Sequence, residues 1–206
     1  MAELCVSSVL VTGANRGLGL GFVQHFLRMP KPPQWIFATC RDPKGQRAQD
    51  LQNLVPKHPN LVIIALEIAD PASIKAAAAK VEEHLGGSGL NLLINNAGMV
   101  KSKMLEEETL DDMTETYTIN TVGPLLMGQA ALNMLSKCQS VAYKEHGILC
   151  IALHPGWVQT DLGRSGGEAP PVTVDDSVQG MLKVLSSLSE KDTGAFLDWE
   201  GNVIPW

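Results

Sequence analysis

A glycine-rich segment near the start of the chain has the residue types and the spacing that bind phosphate groups. It reads TGANRGLG and begins at Thr12. Gly13 permits a tight turn, and Gly17 and Gly19 let the backbone approach a pyrophosphate closely. A helix that begins at the end of such a segment points N–H groups and a partial positive charge at the bound anion. The expected phosphate contacts are Gly13, Asn15, Arg16, Gly17, Leu18 and Gly19.

Short apolar runs alternate with helical patterns along the whole chain, and the glycine-rich segment falls between the first strand and the first helix. The predicted strands are residues 6–11, 35–39, 61–66, 90–94, 148–153 and 195–197, and the predicted helices are residues 17–29, 46–54, 71–85, 109–146 and 174–188. Continuously apolar strands separated by helices indicate a parallel sheet covered on both faces. The pattern therefore predicts a doubly wound, three-layer α/β/α fold and a single domain over residues 1–206.

The composition argues against several other classes of protein. The 206 residues carry 16 Lys and Arg against 22 Asp and Glu, a net charge of −6. No basic cluster offsets this acidity, so we expect no nucleic-acid or membrane partner. Four cysteines without a C-x-x-C pair and five histidines without ligand spacing predict reduced thiols and no metal site. The sequence has no signal peptide or long apolar run, which predicts a cytoplasmic protein.

Three further segments share the order and the surroundings of motifs from one known family. The fourth predicted strand ends in NNAG at residues 95–98, Asn120 lies in the following helix, and PGWVQT at residues 155–160 follows a later strand. Together with T-G-x-x-x-G-x-G, these motifs resemble the short-chain dehydrogenase/reductase family over almost the whole chain. Within that family, CRD at residues 40–42 and DWEG at residues 198–201 look closest to the C-factor/sniffer-like carbonyl reductases.

The resemblance implies a Rossmann domain that binds a nicotinamide dinucleotide and reduces carbonyl groups. It implies that the segment after the third strand lies beside the adenine ring, that NNAG faces the cofactor ribose, and that PGWVQT fixes the nicotinamide carboxamide. The residues concerned are Glu67, Ile68, Asn96, Ala97, Gly98, Pro155, Gly156, Val158 and Thr160. Asn120 is expected to hold a water of the proton relay.

Two arginines bear on the choice of cofactor. Proteins that prefer NAD place a carboxylate near the end of the second strand, where it holds the ribose 2′-hydroxyl. Here Cys40 and Arg41 stand at that point, and Arg16 lies inside the glycine-rich segment. Guanidinium groups bind a phosphate through paired hydrogen bonds, so NADP(H) is favoured over NAD(H). The alternative is that either arginine is a solvated surface charge.

The acid that the resembled family uses is missing from this chain. That family protonates the developing alkoxide with a tyrosine that has a lysine four residues later, and a serine on the preceding strand polarises the carbonyl. Tyr117 and Tyr143 are the two tyrosines, and Thr121 and Gly147 follow them four residues later. No strand predicted between residues 98 and 148 can carry the serine. The chain is therefore expected to be catalytically impaired.

The position of the missing segment can be inferred from the helical patterns. Residues 125–130 resemble the middle of one helix of the family, and residues 131–136 resemble the helix that follows its catalytic lysine. About 40 to 50 residues normally separate these points, so the chain lacks one central strand and parts of two helices. The strand near residue 148 then either pairs directly with the one near residue 90 or leaves a gap. Unpaired backbone groups in a gap predict a strained core.

Three functions remain open from the sequence. The first is a carbonyl reductase that uses NADPH on a small carbonyl substrate. The second is a nucleotide-binding protein that has lost catalysis, and the third is a non-productive splice product. A homo-oligomer is possible, but relatives pair through helices that are altered here.

Overall fold

The computed structural model describes residues 4–99, 107, 109–123, 140–141, 143–164 and 169–204. Packing divides the chain into two units. The first unit is Cys5–Gly98, and the second is Met99–Trp206 together with Met1–Leu4. None of the described helices is long and apolar enough to cross a membrane.

A parallel sheet of short apolar strands forms the centre of the first unit. Its strands are β1 (Ser8–Val11), β2 (Trp35–Cys40), β3 (Leu61–Ala65) and β4 (Leu92–Ile94). Their order is β3-β2-β1-β4, and each ladder between them is parallel. The direction of winding therefore reverses between β1 and β4, and doubly wound sheets bind their ligands at the carboxyl ends of such strands. This order confirms the predicted doubly wound fold.

The core of the first unit lies between this sheet and its helices, which are α1 (Gly17–Arg28), α2 (Gln49–Gln52) and α3 (Pro71–Leu85). The side chains of Val9, Ile36 and Phe37 on the strands are fully buried. Helix α1 buries its apolar face, with Phe26 fully covered and Phe22 almost so. Burial of this apolar surface is the main stabilising contribution to the unit.

Helix α3 has clear local reasons for its two ends. Asp70 precedes it in an extended conformation, and its Oδ1 accepts a hydrogen bond from the Ala72 N–H at 2.9 Å. The helix ends at Gly86, which adopts the left-handed conformation at φ 57°. On the sheet side, the His84 ring packs edge-on against Trp35 of β2 with a centroid separation of 5.0 Å.

The second unit contains two described α-helices and a short parallel ladder. Helix α4 (Leu110–Tyr117) continues as a π-helical turn (Thr118–Val122), and helix α5 is Val174–Ser187. Strand β5 (Ala152–His154) pairs in parallel with β6 (Phe196–Asp198). Trp199 follows β6 directly and packs so tightly against Gly180 of α5 that a Cβ there would lie 2.6 Å from its Cε3.

Most predicted elements are present, but three differ from the structure. The strand predicted at residues 148–153 is shorter in the structure, where β5 is Ala152–His154. The first two residues of the predicted strand, Ile148 and Leu149, are 50% and 36% exposed. The helix predicted at residues 109–146 does not run to its end as one α-helix, because Lys144–His146 is a 3₁₀ turn followed by Gly147 at φ 66°. Residues 124–139, in the middle of this predicted helix, lie outside the described residues. The helix predicted at residues 46–54 is a 3₁₀ turn (Gln46–Ala48) followed by α2.

Candidate nucleotide-binding site

Thr12 fastens the start of the glycine-rich turn to the end of β4. Its Oγ1 accepts hydrogen bonds from the N–H groups of Asn96 and Ala97 at 3.0 and 2.9 Å. The same hydroxyl donates to the Ile94 carbonyl at 3.4 Å, and the Thr12 N–H bonds that carbonyl at 3.0 Å. Thr12 is only 2% exposed, so these bonds are made away from water and fix the turn relative to the sheet.

Asn96 also holds the turn, and the space around Gly13 and Gly19 excludes larger residues. Its Nδ2 donates to the carbonyls of Thr12 at 2.8 Å and Gly13 at 3.2 Å. Gly13 has φ 62°, and a Cβ there would lie 2.9 Å from the Ala97 Cα. A Cβ at Gly19 would overlap the Gly13 carbonyl oxygen and lie 2.6 Å from the Asn96 Nδ2. The predicted glycines and Asn96 are therefore brought together, and Asn96 positions the turn.

The turn leads directly into the N-terminus of α1. Arg16 is the N-cap, in an extended conformation with φ −161°, and its side chain makes no capping hydrogen bond. Gly17 follows with φ 54°. On the other side, the Ala14 N–H donates to the Thr39 carbonyl on β2 at 2.8 Å. Helix N–H groups without a side-chain cap bind an anion such as phosphate.

Arg41 and Glu67 lie side by side beyond the ends of β2 and β3. The Leu66 N–H donates to the Cys40 carbonyl at 2.9 Å, which continues the ladder past the two strands. The next side chains approach each other, with the Arg41 Nε 3.9 Å from the Glu67 Oε2. Ile68, the other residue predicted beside the adenine ring, is 6% exposed.

The other predicted contacts of the first unit lie at the surface of the turn. Asn15 donates from its Nδ2 to the Arg47 carbonyl at 3.3 Å. Arg16 is exposed, Leu18 is half-buried and Gly98 is exposed. Arg16 and Arg41, the two arginines that bear on the choice of cofactor, are therefore both exposed to solvent.

The thiol at the end of β2 stays neutral at physiological pH. Burial raises the pKa of Cys40 above its usual value, and the neighbouring Asp42 carboxylate raises it further. The position where proteins that prefer NAD place a carboxylate is therefore held by an uncharged group.

In the second unit, the PGWVQT loop is anchored by bonds that the sequence did not predict. The Ser177 hydroxyl of α5 donates to the Pro155 carbonyl at 2.6 Å. Gly156 has φ 80°, and its N–H donates to Nδ1 of His154 at 3.1 Å. Val158 is 4% exposed, and the Thr160 hydroxyl accepts from the Gly163 N–H at 3.1 Å. These bonds fasten the loop to α5 and to the end of β5.

Asn120 lies on the π-helical turn and both polar atoms of its side chain bond the backbone of one residue. Its Oδ1 accepts from the Met99 N–H at 2.7 Å, and its Nδ2 donates to the Met99 carbonyl at 2.6 Å. The paired bonds fix the chain just after the NNAG motif. The role of Asn120 in a proton relay stays a prediction.

Three positioning residues were missed by the sequence reasoning. Thr12, Thr39 and Ser177 each carry a hydroxyl that bonds the backbone of a segment near the predicted site. The T-G step was a usable signal for Thr12, because that hydroxyl stands where the turn leaves the strand. Nothing local identifies Ser177, whose acceptor lies 22 residues earlier.

A parallel sheet with its winding reversed between β1 and β4, and a pinned glycine-rich turn opening α1 there, define a dinucleotide-binding α/β protein. The sequence model of the short-chain dehydrogenase family matches residues 7–140. The chain belongs to the short-chain dehydrogenase family.

Two related sequences illustrate the range of relatives. The C-signal protein of Myxococcus xanthus is 31% identical over 157 residues, which cover 57% of this chain and 93% of that protein. The short-chain dehydrogenase srdF of Neurospora crassa is 25% identical over 256 residues, and the alignment covers all of both chains.

Two solved carbonyl reductases have similar structures. The NADPH-bound carbonyl reductase from chicken fatty liver is 55% identical, with a TM-score of 0.93 over 98% of this chain and 100% of that one. The carbonyl reductase Sniffer of Drosophila melanogaster is 29% identical, with a TM-score of 0.91 and the same coverage. This likeness confirms the resemblance to carbonyl reductases within the family.

Proposed function

We propose that the chain binds NADP(H) in preference to NAD(H), as a member of the carbonyl reductase branch of its family that is catalytically impaired. One observation carries the choice of cofactor. An exposed arginine, Arg41, directly follows β2, whereas the strand itself ends in the neutral thiol of Cys40. A guanidinium group binds a 2′-phosphate, and a carboxylate would repel it. The chicken carbonyl reductase solved with NADPH supports the proposal.

The residues present fit a dinucleotide. The turn keeps glycine at two points where a Cβ would fill the space, and α1 presents its N-terminal N–H groups. In this proposal the residues from Gly13 to Gly19 hold the pyrophosphate, while Arg16 and Arg41 hold the 2′-phosphate. Glu67 and Ile68 lie beside the adenine, residues 96–98 face the ribose, and Pro155, Gly156, Val158 and Thr160 fix the carboxamide. When bound, NADPH supplies a hydride to a carbonyl carbon.

The chain offers no tyrosine with the lysine that would lower its pKa. Tyr117 is 62% exposed, and neither Tyr117 nor Tyr143 has a lysine four residues later. Reduction of a carbonyl without a positioned acid loses the contribution of general acid catalysis, about 10²- to 10⁴-fold in rate. A nucleotide-binding protein without catalysis is the second candidate, favoured by the same missing acid. A non-productive splice product is the third.

We propose that the acid is missing because of an internal deletion. The alignment with srdF extends over 256 residues, 50 more than the 206 of this chain, although it covers all of both. This supports the estimate of 40 to 50 missing residues made from ordinary element lengths. We further propose that the two units are parts of one dinucleotide-binding domain over residues 1–206.

The experiment is to titrate the purified chain with NADPH and NADH while following its thermal stability, and then to assay carbonyl-dependent NADPH oxidation. A ligand at 100 times its Kd stabilises the folded state by about 2.7 kcal/mol, which shifts the Tm of a domain of this size by about 5–10 °C. We expect such a shift with NADPH, a smaller one with NADH, and little turnover. Turnover at rates typical of the family would contradict the proposed impairment, and no shift with either nucleotide would favour the splice product.

A further inference from the structure

We propose that Glu67 limits the preference of this chain for NADP(H) over NAD(H) by competing with the 2′-phosphate for Arg41. The inference rests on the proposed function, because it concerns the adenosine ribose of the same dinucleotide. Its basis is the ion pair between the side chains of Arg41 and Glu67.

Glu67 is the fixed member of the pair. Its Oε1 accepts a hydrogen bond from the Ala69 N–H at 3.1 Å, and its own N–H donates to the Ser73 hydroxyl at 2.9 Å. The next residue, Ile68, is buried. One carboxylate oxygen is therefore held by the Ala69 N–H, the backbone of Glu67 is held by Ser73, and the second oxygen, Oε2, faces Arg41.

Arg41 is the member that has room to turn. Its side chain is 70% exposed, against 36% for Glu67, and the Nε lies 3.9 Å from the Glu67 Oε2. At this distance and exposure the attraction is modest, since measured exposed ion pairs contribute little. The pair can therefore open when a stronger anion arrives, but opening it reduces the affinity for that anion.

The charge of Glu67 has different effects on the binding of the two cofactors. A 2′-phosphate carries nearly two negative charges near neutral pH. Binding of NADP(H) must separate Arg41 from Glu67 or bring the phosphate close to a carboxylate. A ribose 2′-hydroxyl is neutral and donates a hydrogen bond, which a nearby carboxylate accepts in proteins that prefer NAD. Glu67 therefore weakens binding of NADP(H) and does not weaken binding of NAD(H).

The test uses the full chain with Glu67→Gln. Glutamine has the same length, and its Oε1 can still accept from the Ala69 N–H, so the substitution removes the charge and keeps that local bond. Dissociation constants are measured for NADPH, for NADH, and for adenosine 2′,5′-bisphosphate, which carries the phosphates without a nicotinamide. We expect tighter binding of NADPH and of the bisphosphate by about two- to fivefold, the range for an exposed pair. The Kd of NADH should stay the same or rise.

Two further variants separate this effect from a change in net charge or in structure. Glu83→Gln removes the same charge from an exposed position near the end of α3, and we expect it to leave the NADPH-to-NADH ratio unchanged. Glu67→Asp restores a negative charge and should return the ratio toward that of the unaltered chain. High salt should reduce the effect of Glu67→Gln, because salt screens exposed charges.

The outcomes distinguish this inference from the proposed function. If the unaltered chain binds neither nucleotide, the proposed function fails and this inference fails with it. If both nucleotides bind but Glu67→Gln leaves their ratio unchanged, only this inference is overturned. An equal change in the ratio with Glu83→Gln overturns it as well.

Discussion

The hydroxyl of Thr12 makes three hydrogen bonds at the candidate site. It accepts from two N–H groups and donates to one carbonyl, at a position that is 2% exposed. A buried N–H group that loses its acceptor costs about 1–3 kcal/mol. A neutral residue beside the glycines therefore determines where the glycines lie.

Replacement of this hydroxyl has a predictable cost. We expect Thr12→Val to lower the free energy of unfolding by about 2 kcal/mol or more, because Asn96 and Ala97 lose their acceptor. NADPH affinity should fall as well, since the turn is no longer fixed. Urea unfolding followed by circular dichroism measures the first effect, and nucleotide titration the second. Thr12→Ser keeps the hydroxyl and is the matched control; a similar loss in Thr12→Ser would contradict the assignment.

Close packing at Gly19 gives a second prediction. In Gly19→Ala the new Cβ overlaps the Gly13 carbonyl oxygen and the Asn96 amide, so the turn must move. We expect NADPH affinity to fall by at least about tenfold, which corresponds to 1.4 kcal/mol. Gly89→Ala is the control, because a Cβ there meets no atom within 4 Å. Unchanged nucleotide binding in Gly19→Ala would show that this part of the turn does not hold the phosphates.

Residue spacing was enough to predict the glycines, but not the side chains that hold them. Gly13 and Gly19 stand out because phosphate-binding turns need small residues at fixed separations. The bonds from Asn96 to the turn join residues 83 and 84 positions apart. They depend on β1 and β4 being neighbours, which follows from the sheet order and not from local sequence.

Among the elements, α3 was predicted with its observed ends. Asp70 and Pro71 start it, and Gly86 ends it, and each of these residues acts through its own local conformation. Strand β5 was predicted too long, since the apolar run from Ile148 includes side chains that are exposed. Local rules therefore predict an element well where its ends are capped, and less well where burial decides them.

The cap of α3 can be tested directly. Asp70→Ala removes the acceptor of the Ala72 N–H, and loss of such a cap costs about 0.5–2 kcal/mol. We expect the Tm to fall by about 2–4 °C for each kcal/mol lost, measured by differential scanning calorimetry. Asp70→Asn retains a capping oxygen and should stay close to the unaltered chain. Equal destabilisation by Asn and Ala would mean that the carboxylate contributes through its charge and not as a cap.

On the scale of the whole molecule, the proposed deletion predicts reduced stability. A parallel sheet that loses a central strand leaves backbone groups to be paired in another way. We expect the chain without nucleotide to melt broadly and below about 45 °C, under the range of most mesophilic domains. Differential scanning calorimetry measures this, and NADPH should sharpen and raise the transition. A single cooperative transition within the mesophilic range would contradict the prediction of a strained core.

The same deletion predicts how catalysis could be restored. We expect insertion of the corresponding segment from a carbonyl reductase, about 50 residues, between residues 130 and 131 to produce carbonyl-dependent NADPH oxidation. The control is the same insert with its tyrosine replaced by phenylalanine, which removes the acid and keeps the length. Activity equal in the two inserts would show that the tyrosine is not the missing acid.

The sequence predicted the type of sheet but not the order of its strands. Alternating apolar runs and helices indicated a doubly wound sheet, and β3-β2-β1-β4 is such a sheet. How the chain divides into units could not be read from residue patterns. That division depends on which long-range contacts form. Removal of a segment changes those contacts without changing the residue patterns on either side of it.

The tryptophans give the two units separate optical signals. Trp35 lies on β2 against the Phe37 and His84 rings in the first unit, whereas Trp199 packs against Gly180 in the second. Indole emission shifts to the red when the ring meets water, so a chain that keeps one of these tryptophans reports on one unit at a time. Coincident shifts from Trp35 and Trp199 during denaturation would identify a single cooperative unit, and separate shifts would identify two, without any added label.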